Sequence, residues 1–97
     1  MTINVNPLVL EQVSAALMSM INEIEQERSN LIQARNDTLA VWNSQHTHIF
    51  ESSVNGTHRA IGRTIEDIRL VANKLRSTAT EVRALEQRIR DIKKGII

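Results

Sequence analysis

Apolar residues recur along the chain in two helical patterns separated by a polar stretch. In the first, Leu10, Leu17, Ile24 and Leu31 repeat every seven residues, with Val13, Met20 and Ala34 at the alternate spacing and Ile21 beside them. Apolar positions three and four apart form one stripe on a helix. The stripe holds to about Val41. In the second, Val54, Ile61, Ile68, Leu75, Val82, Ile89 and Ile96 follow a strict seven-residue spacing. His58, Ile65, Ala72 and Ala79 fill the second seam position, and Leu85 and Ile92 take over one residue earlier in the repeat. A sustained seven-residue period favours a left-handed supercoil with a partner helix. Small Ala72 and Ala79 should let that helix approach closely.

The boundaries follow from local chemistry. Asn6 before Pro7 makes a helix start, with Asn as N-cap and Pro at the first helical position. Residues 1–5 then form an extended lead-in. The break between the helices has two candidates. Ser44 is a good N-cap for a following helix, which places the turn at 43–45. The SSVNG stretch at 52–56 has stronger turn residues, but Val54 within it continues the downstream apolar row. The spacing therefore predicts a first helix over about 7–42, a turn at about 43–45 and a second helix over about 46–94. Two long helices joined tightly make an antiparallel two-helix hairpin, a single all-α domain over 1–97. Val9, Met18, Ile49, Leu70 and Val71 lie off the main stripes. A hairpin with such flanks finds its simplest closure as a four-helix bundle made by dimerisation.

Composition narrows the classes. With 97 residues and only Trp42 and Phe50 as aromatics, the chain holds at most one small core. An apolar share of 41% is too high for a disordered tail. Three Gly and one Pro leave few turns, which argues against an all-β fold. There is no Cys, so disulfide and thiol chemistry are excluded. No apolar run is long enough to span a membrane, and the N-terminus lacks the pattern of a secretory signal peptide.

The net charge of +1 hides an asymmetry. Residues 1–45 carry two cations against five anions, and residues 46–97 carry ten against six. The basic run Arg83, Arg88, Arg90, Lys93 and Lys94 is interleaved with Glu81, Glu86 and Asp91. It reads first as a solvated helix face, second as a surface for an acidic partner and third as a nucleic-acid contact, which lacks stacking aromatics. His46 and His48 are two apart on a helix and point to different faces, so with Glu51 they do not make a converging metal set. No nucleophile–base pair or phosphate loop occurs. The residues predict neither an enzyme nor a cofactor.

Ile3, Val5, Pro7 and Leu10 at the opening, a helix, then Trp42-Asn43-Ser44 at the turn resemble the WXG family of type VII secretion systems. Downstream, Phe50, Val54, Ile61, Ile65, Ile68 and Leu75 are similar to that family's second helix. Two features depart from it. Ser44 stands where the family has glycine, and with no Tyr in the chain its Tyr-x-x-x-Asp/Glu export signal is missing. The resemblance implies a non-enzymatic secretion substrate, or a targeting or chaperone partner for a larger secreted toxin. In related systems small helical proteins pair with the targeting domain of LXG toxins and present a composite signal. The partner would be a second copy or another helical chain, together with the secretion machinery. The protein would be cytoplasmic before export, then secreted or held at the cell surface without a signal peptide. Trp42, Asn43 and Ser44 would form the recognition turn. The seam would use Leu10, Leu17, Ile24 and Leu31 with Val54, His58, Ile61, Ile65, Ile68, Leu75, Val82 and Ile89. The alternatives are a coiled-coil adaptor unrelated to secretion and, third, a small nucleic-acid-associated helical protein.

Overall fold

The computed structural model describes residues 5–96, with side chains through Gly95. The lead-in before Val5, with Ile3 of the opening motif, and the side chain of Ile96 lie outside what the structure describes. Among the described residues the chain forms two helices and no strand, α1 over Pro7–Val41 and α2 over Thr47–Ile96. Asn6 holds extended backbone (φ −95°, ψ 109°), and its Oδ1 accepts from the Leu8 amide at 3.0 Å, with Pro7 opening the helix. The carboxamide thus satisfies one of the amides that a helix start leaves unpaired.

The turn spans 42–46. Trp42 leaves the helix in extended backbone (φ −114°, ψ 115°) while its amide still donates to the Thr38 carbonyl at 2.9 Å. Ser44 organises the re-entry. Its Oγ accepts from the His46 amide at 3.2 Å, its amide donates to Thr47 Oγ1 at 2.8 Å, and its carbonyl accepts from the Thr47 amide at 3.1 Å. The SSVNG stretch lies inside α2, and Gly56 is helical.

The helices pack antiparallel. Ser14 meets Ala72, Arg28 meets His58, Arg35 meets Asn55 and Glu11 meets Arg83. The product is a rod of 81 × 16 × 15 Å. Its dry centre is narrow: Ser14 and Ile21 from α1 against Ile65, Ala72 and Ala79 from α2, none more than 2% exposed. Ser14 Oγ donates directly to the Ala72 main-chain carbonyl at 2.7 Å. So short a side chain reaches backbone only where Cβ-sized residues let the helices close up, the role expected of Ala72 and Ala79. At ~1.5 Å per residue α2 is some 20 Å longer than α1. The residues after Arg83, including half-exposed Leu85 and Ile92, project past the first turn of α1.

Candidate partner-binding face

The row of α1 that points into the hairpin is Pro7, Ser14, Ile21, Arg28 and Arg35. The first three are buried and the two arginines half-buried. Counting about 100° per residue from it, Leu10, Leu17, Ile24 and Leu31 lie to one side, and all four are half-buried. The same geometry holds in α2. His58, Ile65, Ala72 and Ala79 point inward, while Ile61, Ile68, Leu75, Val82 and Ile89 stand beside them, half-buried. Because the helices run antiparallel, these offset rows fall on the same side of the pair. The four leucine and isoleucine positions of α1 thus border the seam instead of filling it.

That side is apolar and open. Leu17, Ile68 and Val71 line a shallow groove across the two helices, with Asp67 at its edge. Val13, Met20, Val71 and Leu85 continue the surface, each 43–53% exposed. Leu70, also strongly exposed, lies on the outer face of α2 and does not join it.

The opposite side is closed by polar contacts between the helices. Arg83 Nε donates to Glu11 Oε1 at 2.7 Å, and its second nitrogen reaches the same carboxylate. Arg35 donates to Asn55 Oδ1 at 2.6 Å. Arg28 lies over Gly62, where an added Cβ would stand 2.6 Å from its guanidinium. Its outer nitrogens reach His58 Nδ1 at 3.5 Å and Glu25 at 3.8 Å, and its Nε is buried without a partner. Since arginine only donates, His58 Nδ1 accepts here. These are links within the hairpin, and half-buried Met18, Ile32 and Leu39, in the row of Glu11, lie alongside them.

At the turn, Trp42 and Phe50 pack with ring centroids 5.5 Å apart at 60°. The pair bridges the end of α1 and the first turn of α2, a tilted geometry favoured by ring quadrupoles. Trp42 stays 36% exposed, and Asn43 and Ser44 are exposed. The Ser44 hydroxyl is occupied in the turn, whereas the indole edge and Asn43 face solvent.

His46 and His48 are exposed, and no group of three or more His, Asp or Glu converges as a metal set among the described residues. Of the basic run, Arg83 is tied to Glu11 and Arg90 donates to Gln87. No helix among the described residues is long and apolar enough to cross a membrane. The sequence pattern missed Ser14, Arg28 and Arg35 as inward residues. Their only signal was an exact seven-residue spacing through Pro7 and Ile21. No family model, curated protein or solved structure matches the chain.

Proposed function

We propose that this is a non-enzymatic helix-pairing protein whose open apolar face is covered by a second helical hairpin, completing a four-helix bundle. The supporting observation is the contrast between the two sides. One is closed by Glu11–Arg83, Arg35–Asn55 and Arg28 over Gly62. The other presents Leu17, Ile68 and Val71 to solvent with no element over them. Exposed apolar residues gathered on one face of two helices suit a protein contact.

Within that class, the WNS turn between two long helices supports a WXG-like component of a type VII secretion system. It is either a small substrate or the targeting partner of a larger toxin such as an LXG protein. In this reading the open face holds the partner and the Trp42–Ser44 end meets the secretion machinery. The protein begins in the cytoplasm and leaves by a signal-peptide-independent route. The test is to delete the gene and measure export of a neighbouring LXG-type protein alongside secretion of this chain from the parent strain. Lost export, or secretion of the chain itself, supports the reading. Unchanged export with the chain retained in the cell removes it. The strict seven-residue row of α2 favours one alternative, a coiled-coil adaptor with no role in export, which the same experiment separates.

A further inference from the structure

Apart from Asp67 at the edge of the groove, the rows of the open face carry one charge. Glu27 falls in the row of Val13 and Met20, is exposed and has no ion-pair partner among the described residues. The α1 and α2 rows that make this face contain no Lys or Arg. The outer edge of α1 adds Glu23 and Asp37, both exposed, and again no cation. Along α2 the edge charges cancel, Asp67 and Glu81 against Lys74 and Arg88. Of the other cations of the second half, Arg83 closes the opposite side and Arg90 lies on the projecting end.

Covering this face takes the Glu27 carboxylate out of water. A buried carboxylate without a cation is strongly disfavoured. A second copy would bury Glu27 twice and supply no cation from the rows of its own face. A different chain with Lys or Arg in its seam would turn the same charge into an attraction and a register mark. We propose that the occupant of the open face is a helix pair of another chain, with Lys or Arg opposite Glu27 and the α1 edge, and that Glu27 works against self-pairing. This rests on the four-helix-bundle reading above and specifies its partner.

The probe is the chain itself with the acidic side reversed, Glu23→Lys, Glu27→Lys and Asp37→Lys together. Mass is followed by sedimentation at low and high salt, and helicity by circular dichroism. Wild type alone should remain monomeric at tens of micromolar. Mixed with the reversed chain it should form a one-to-one pair at least about tenfold tighter than either self-pair, and salt should loosen it. In parallel, Glu27→Gln removes only the charge and should tighten self-pairing by about tenfold or more. Wild type pairing with itself as tightly as with the reversed chain would overturn the inference and leave the bundle reading standing. Glu27→Gln without effect on self-pairing would also overturn it. Monomers in every combination with helicity retained would overturn the inference and the bundle reading together.

Discussion

A polar residue marks how closely these helices approach at Ala72. Ser14 is 2% exposed and bonds to a carbonyl already serving the ladder of α2. Ser14→Ala should therefore cost about 1 kcal/mol, the net worth of one hydrogen bond. Ser14→Val should cost about 1–3 kcal/mol, because a branched side chain has no room against Ala72. Urea melts of the two variants check the order, and Val milder than Ala would mean that the helices can part freely. Two glycines make a second contrast. A Cβ at Gly56 meets nothing nearer than 4.0 Å, so Gly56→Ala should gain up to about 1 kcal/mol in helix propensity. At Gly62 the added methyl must displace the Arg28 guanidinium. Gly62→Ala should gain less than Gly56→Ala, or lose stability, in the same melts.

The two helices differ in how openly their patterns declare their faces. Periodicity and the Asn6-Pro7 start locate both, because a row of apolar residues needs cover whatever covers it. The turn was ambiguous because Ser52, Ser53, Asn55 and Gly56 suit a loop, yet Val54 keeps the α2 row continuous and the chain re-enters at Thr47. What periodicity could not show was which row faced inward in α1. Apolar counting selects Leu10, Leu17, Ile24 and Leu31, whereas the inward row contains Ser14, Arg28 and Arg35, paired only once the hairpin forms. The leucine row stays half-buried beside that seam. Two neighbouring isoleucines separate these roles. Ile65 is 1% exposed at the centre, and Ile65→Asp should abolish helicity, since it buries an unpaired charge. Ile68 lines the open groove, so Ile68→Asp should keep most helicity and lose pairing. Circular dichroism with sedimentation checks both, and an unfolded Ile68→Asp would place that row inside the hairpin after all.

At the scale of the molecule, a rod 81 Å long and about 15 Å thick cannot bury much of itself. Its apolar core is Ile21, Ile65, Ala72 and Ala79, two of them alanines. Little of the hydrophobic stabilisation open to this composition is therefore realised within one hairpin, and a partner of the kind proposed would add to it. Folding and binding are then linked, because whatever binds only the folded hairpin stabilises it in proportion to the logarithm of its free concentration. With partner at a hundredfold over the dissociation constant the gain is about 2.7 kcal/mol. For a chain of this length that raises the melting temperature by about 10 °C or more. The charge-reversed chain that complements Glu27 supplies such a partner. Wild type melted alone should unfold at a low temperature that does not change with protein concentration. In the mixture the transition should rise by that amount and sharpen, and high salt should erase most of the rise. A transition that stays put while sedimentation reports a pair would mean that the partners touch at the projecting end of α2 or at the Trp42 turn, leaving Leu17, Ile68 and Val71 in water.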